Sequence, residues 1–313
     1  MLFRSLSPHL YADDSQIYGS CRPSACPELQ MHISTCIDNV AEWMRSNRLQ
    51  LNSTKTEILW SATCRRLHQL PQAALRVGTD FVTPCVVVRD LGILLDSDIS
   101  MRSHVTRTAS TCFAVLRQLR YNRRSVPRSV VQSLVTSLVL SRLDYDNATL
   151  ADIPQRLLRR LQSVMNAAVR LIYSSSRFEH ITPLLRQLHW LKEKERIEFK
   201  LAVLVFKCVH GYAPPYLADE LSRPGDSQAR CRLRSASSHI LVVRRTRLTT
   251  VGDRSFPVAA SRVWNNLPQH VISSPSLQVF KTSRIVSILI FSLLLSLSLT
   301  PYVQCLRGDF GHY

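Results

Sequence analysis

Apolar and polar positions along the 313-residue chain change rhythm several times. In 8–20, PHLYADDSQIYGS, apolar and aromatic residues flank an acidic pair, which predicts two strand ends around a tight turn. In 27–48, Met31, Ile33, Ile37, Val40, Trp43 and Met44 recur at helical spacing behind Pro27, a residue suited to a first helical turn. Residues 49–60 return to an extended pattern with a polar turn. Residues 81–95 hold a β-branched run, Val82 to Val88, and then Leu91 to Leu95, which predicts two strands joined around Arg89 and Asp90.

From about 100 the period becomes helical. Amphipathic segments cover 103–121, 127–143 with Pro127 at its start, and 154–173. In the last of these, Leu157, Leu158, Leu161, Val164, Met165, Ala168, Leu171 and Ile172 form one stripe, with Arg156, Arg159, Arg160 and Arg170 on the other side. Two more helical stretches lie in 183–209 around Trp190, and Gly211 with Pro214-Pro215 breaks them. Residues 222–238 read as a loop, and 240–266 as extended and then irregular. Residues 285–306 carry no charged side chain. Their densest run, 285–299, would span ~22 Å as a helix, short of a ~30 Å bilayer core unless it extends through Tyr302.

Charge divides the chain differently. It has 40 Lys and Arg against 22 Asp and Glu, a net charge of +18. Only six of the cations are Lys, so Arg dominates, and its planar fork matches phosphate oxygens two at a time. Residues 1–100 hold 9 basic and 10 acidic side chains, while 101–284 hold 30 and 11. The second part is therefore expected to meet an anionic partner, nucleic acid or a membrane surface. Gly is scarce, and no GxGxxG or GxxxxGK[ST] occurs, which leaves Gly-rich phosphate loops without support. The nine Cys form no CxxC pair and read as free thiols of a reducing compartment. The N-terminal MLFRSLSPHL lacks the apolar core of a signal peptide. Trp190 and Trp264 read as core anchors.

Tyr11-Ala12-Asp13-Asp14 is the sharpest chemical signal. Consecutive carboxylates at a hairpin turn can both approach a hard cation, although Asp-Asp is also common in solvated turns. The segments around it follow in a fixed order: AEWMRSNRLQLNSTKTEIL, VRDLG, SRLDY, LQSVMNAAVRLIY, HGYAPPYL and SRVWNNLP. In that order, over about 8–284, the chain resembles the C-terminal half of reverse transcriptases of jockey-like non-LTR retrotransposons (LINE elements).

The resemblance implies an α+β fold. Residues 1–100 would be the C-terminal part of a right-hand polymerase palm, with antiparallel strands and a helix. Residues 101–178 would be a helical thumb, and 179–284 a helical or mixed C-terminal region. Residues 285–306 lie beyond the resemblance, and their apolar run by itself predicts an apolar helix that would reach membrane-spanning length only if it extends through Tyr302. Asp13 and Asp14 match metal-binding aspartates that hold Mg²⁺, and Tyr11 matches a tyrosine beside the nucleic acid. Lys55 matches a lysine near the phosphates of incoming deoxynucleoside triphosphates. Arg89 lies in the hairpin that supports the primer end, where it could equally pair with Asp90. Arg117, Arg120, Arg123, Arg124, Arg128, Arg159 and Arg160 would lie against the duplex of RNA template and DNA primer.

The family also needs an aspartate on a strand upstream of Tyr11, and the ten residues that precede it contain no acid. The expected identity is thus a truncated RNA-directed DNA polymerase, inactive alone. The alternatives are a non-catalytic, basic nucleic-acid-binding remnant and a tail-anchored membrane protein with Lys281 and Arg284 on the cytoplasmic flank. By resemblance the chain is intracellular, nuclear or cytoplasmic, or membrane-bound if the tail inserts.

Overall fold

A computed structural model describes residues 6–12, 14–224, 239–248, 250–285 and 288. Over these residues the protein is a mixed α+β fold, mostly helical, with small antiparallel two-stranded sheets. It forms two compact units, Met1–His104 and Val105–Tyr313.

The first unit begins with strands β1 (Ser7–Tyr11) and β2 (Asp14–Tyr18), whose register pairs Tyr11 with Asp14 and Pro8 with Ile17. That register leaves a two-residue turn, entered through Ala12 at φ +51°. Alternation along β2 sends Ile17 inward, where it packs against Leu6, Leu29 and Cys36 together with Ile33, Val40 and Trp60. Leu29, Ile33, Cys36 and Val40 share one face of helix α1 (Cys26–Ser46), as the helical period requires. Strands β3 (Leu75–Val77) and β4 (Asp80–Val82) form a hairpin around Gly78, at φ +65°, and β3 packs on α1.

Strands β5 (Val87–Asp90) and β6 (Ile93–Asp96) form the third hairpin. Its turn falls at Leu91-Gly92, not at Arg89-Asp90 where the sequence pattern sets it. Both residues have positive φ, +43° and +90°, and Gly92 supplies the freedom that such a turn demands. Val82 belongs to the preceding hairpin, because Pro84 separates it from Val87 and cannot donate to a ladder.

In the second unit, helix α2 (Arg102–Asn122) buries Val105, Ala109, Cys112 and Leu116, at steps of four, three and four. Helix α3 (Arg128–Val135) runs through a π-helical turn (Thr136–Leu140) into α4 (Ser141–Asp144). Helix α5 (Gln155–Tyr173) buries Leu157, Leu161, Val164, Met165, Ala168 and Ile172 of the stripe read from the sequence and adds Val169, while Leu158 and Leu171 at its margins are half-buried. Helices α6 (Ile181–Gln187), α7 (Glu193–Val209) and α8 (Pro215–Ala218) follow, with α5 packed on α3, α6 and α7.

The segment read as irregular contains helix α9 (Phe256–Asn265), followed by α10 (Gln269–Ile272). Pro257 and two valines mask α9 in the sequence, yet proline is tolerated in a first turn. Trp264, 1 % exposed, stacks with Phe280, which in turn meets Phe206 of α7. The Trp264 Nε1 donates to the His239 carbonyl at 2.8 Å, and Asn265 exchanges two hydrogen bonds with the Leu241 backbone. Trp264 is thus the core anchor expected of it.

The helix over 277–285 lies on α7, where Arg284 is largely buried beside Glu198. Burial lowers the Arg284 pKa, and Glu198 and Glu195 oppose that shift. Arg284 therefore serves the core of this unit. Among the described residues no helix is long and apolar enough to cross a membrane. The apolar run from 289 onward lies outside them.

Candidate nucleic-acid interface

In the first unit, Asp14 opens β2 and Tyr11 closes β1, directly opposite each other and both exposed to solvent. Asp13 lies outside the described residues. Alternation places Asp14 and Gln16 on the outward face of β2, opposite the side that carries Ile17 into the core. Gln16 Nε2 donates to Asp90 Oδ1 at 2.5 Å, which ties the YADD hairpin to the VRDLG hairpin. Asp90 therefore answers Gln16, and Arg89, its neighbour, is exposed.

Lys55 ends a short 3₁₀ turn (Ser53–Lys55) that Asn52 caps by accepting the Lys55 backbone N–H at 3.3 Å. The Ser53 hydroxyl donates to Asp80 and so fixes the same turn from β4. The Lys55 side chain is exposed, and among the described residues it shares no hydrogen bond or ion pair with Asp14.

Two-metal phosphoryl chemistry needs several carboxylates converging on ions ~3.5–4 Å apart. Among the described residues no three His, Cys, Asp or Glu side chains gather to hold a metal ion. Asp14 stands at its turn as one solvated carboxylate. Among the described residues, Asp14 alone does not make up a donor set for a pair of Mg²⁺ ions.

The second unit carries the cationic surface. Helices α2 and α5 run side by side in the same direction, because hydrogen bonds join them start to start and end to end. Arg160 Nη1 donates to Thr106 Oγ1 at 3.1 Å. Arg123, just past the end of α2, donates through Nε to the Leu171 carbonyl at 3.0 Å and through Nη2 to the Ile172 carbonyl at 3.1 Å. Those carbonyls belong to the last turn of α5, which has no intrahelical donors of its own. Arg123 thus caps α5 and offsets the negative end of its dipole. The Arg128 guanidinium sits 3.7 Å over the ring of Tyr173, a cation–π contact at the same end.

The seven candidate arginines therefore divide. Arg123, Arg128 and Arg160 hold helices together. Arg117, Arg120, Arg124 and Arg159 are exposed, and among the described residues they make no ion pair or side-chain hydrogen bond. On α5 the helical period sets Arg159 nearly opposite the stripe that packs into the core. We expect Arg123→Met to lower the stability of this unit by about 1–2 kcal/mol, as loss of two capping hydrogen bonds would. It should leave the salt dependence of nucleic-acid binding unchanged. Urea unfolding followed by circular dichroism, beside a binding titration, checks both halves.

The SRLDY segment also serves the core. Asp144, from SRLDY, forms a two-point ion pair with Arg196 of α7, with Arg196 Nε donating to Oδ1 at 2.8 Å. Beside it Glu193 is fully buried, and among the described residues neither carboxylate oxygen has a hydrogen-bond partner. Burial pushes its pKa up to about 7, against the pull of Arg196 and with the push of Asp144. Nothing in the sequence singles out Glu193, which reads as one more charge in a polar helical start. Burial likewise raises the Cys112 thiol, to about 11. All seven described cysteines are free, and Cys21 Sγ lies 3.7 Å from Cys26 Sγ.

Searches against protein-family models, curated proteins and solved structures find no match to this chain.

Proposed function

We propose that this chain is the C-terminal part of a reverse transcriptase of the jockey-like non-LTR class, and that its working activity is sequence-independent binding of an RNA–DNA duplex. The observation that carries the reading is the set of four exposed, uncommitted arginines on and beside two parallel helices, in a segment with 30 basic and 11 acidic side chains. Guanidinium groups on rigid helices meet phosphate oxygens, release counterions and read no base edge. The first unit retains the hairpins around Asp14 and Arg89, and the resemblance assigns them to the palm. Its carboxylates contribute little to such binding.

Titration of a labelled RNA–DNA duplex with the full chain, at several KCl concentrations, tests this. Affinity is expected to fall steeply with salt, and Asp14→Asn to bind as tightly as the parent. Binding that ignores salt would sink the proposal. Template-primed nucleotide incorporation that disappears in Asp13→Asn would establish a polymerase instead.

A further inference from the structure

One end of the second unit carries features that duplex binding does not use. The Arg123 bonds to Leu171 and Ile172 bring the end of α2 to the end of α5. Arg128 over Tyr173 adds the start of α3. Arg170 Nη2 donates to the Arg177 carbonyl at 3.2 Å and folds the loop over 174–180 back on the same end. Two large aromatic rings stand there almost bare: Tyr121 is 87 % exposed and Phe178 is 84 % exposed. The Arg177 guanidinium lies 5.3 Å from the Phe178 ring.

We propose that this end is a site for single-stranded nucleic acid, with Tyr121 and Phe178 as stacking platforms and Arg177 as a phosphate contact. The proposal rests on the nucleic-acid reading above and extends it to a second site. Bases in a duplex stack on one another and offer a protein their edges and phosphates, whereas unstacked bases offer a π-face. Two bare rings among arginines therefore match a splayed single strand. An acid is also present: Glu179 follows Phe178, but its Oε1 accepts the Ser176 backbone N–H at 2.9 Å. The Arg123 cap removes a second source of repulsion, because it covers α5 carbonyls that would otherwise face the phosphates.

The test uses the full chain and fluorescence anisotropy with two probes of about 12 nucleotides or base pairs, an oligothymidine and an RNA–DNA duplex. The Tyr121→Ala, Phe178→Ala pair is expected to weaken oligothymidine binding roughly 100-fold, about tenfold per ring, and to leave duplex binding within about twofold. Tyr121→Phe with Phe178→Tyr should bind oligothymidine as the parent does, since the rings remain. An unchanged thermal midpoint in both pairs shows that folding is intact. If duplex binds and oligothymidine does not, or if the alanine pair weakens both probes alike or neither, the single-strand site is refuted alone. If the parent chain binds neither probe, the nucleic-acid reading falls with it.

Discussion

Replacing Arg117, Arg120, Arg124 and Arg159 together by Ala should weaken RNA–DNA duplex binding by roughly 100- to 1000-fold at about 0.15 M salt. Each guanidinium that neutralises one phosphate contributes ~0.9 to the slope of log affinity against log salt, so the plot should flatten by about 3.6. The expectation is specific because these four side chains are exposed and have no intramolecular work among the described residues. Their loss should move unfolding by less than about 0.5 kcal/mol, the usual range for surface changes away from packed features. A salt titration of the quadruple variant beside the parent measures both. An unaltered slope would mean that the phosphates contact some other surface.

The second large effect concerns stability and pH. Glu193 titrates near 7 in the folded chain, because burial disfavours its charge, against about 4.3 when exposed in the unfolded chain. Folding therefore favours the protonated acid. Below about pH 4 both states carry the proton, and the group has no effect. Between about 4.3 and 7 the unfolded chain loses the proton first, so stability falls as pH rises. Above 7 the full cost is reached, about 4 kcal/mol.

The groups that act on Glu193 are Arg196 on its own helix and Asp144 of α4, and Cys112 of α2 lies within its field. Glu193→Gln should remove this part of the pH dependence. At pH 8 it should be more stable than the parent by about 2 kcal/mol, since the amide still lacks partners but carries no charge. Near pH 4 the two should unfold alike. Urea midpoints measured across pH 4 to 8 decide it. Parallel curves for the two proteins would show that Glu193 finds water or a partner when ionised.

SRLDY and SRVWNNLP place residues whose contacts lie in the core: Asp144 with Arg196, and Trp264 with Phe280, which in turn meets Phe206. They report the way the helices of the second unit assemble. LNSTKTE behaves similarly, because Asn52 and Ser53 shape the turn that presents Lys55. Of the quoted motifs, YADD and VRDLG meet through polar side chains on an outward strand face, at Gln16 and Asp90. Gln16 is named by no motif and holds the two hairpins together.

The sequence alone determined the elements whose own side chains repeat with a clear period. The α5 helix with most of its stripe, the helix behind Pro27 and the hairpin around Asp14 were legible as elements, because burial on one face writes itself into spacing. In α1, however, Met31 and Trp43 of the expected face are exposed, and Leu29 and Cys36 are the buried residues. It also determined that the arginine surplus falls after residue 100. Only the tertiary structure decided which arginines are free to act. Arg123 and Arg124 are neighbours with the same chemistry, yet Arg123 reaches carbonyls 48 and 49 residues away and Arg124 reaches solvent. The structure alone likewise revealed α9 behind its proline and the buried, unpartnered Glu193. Periodicity records how a segment meets one neighbouring surface. The use of a polar side chain depends on which distant backbone or charge folding brings beside it, and no local pattern carries that information.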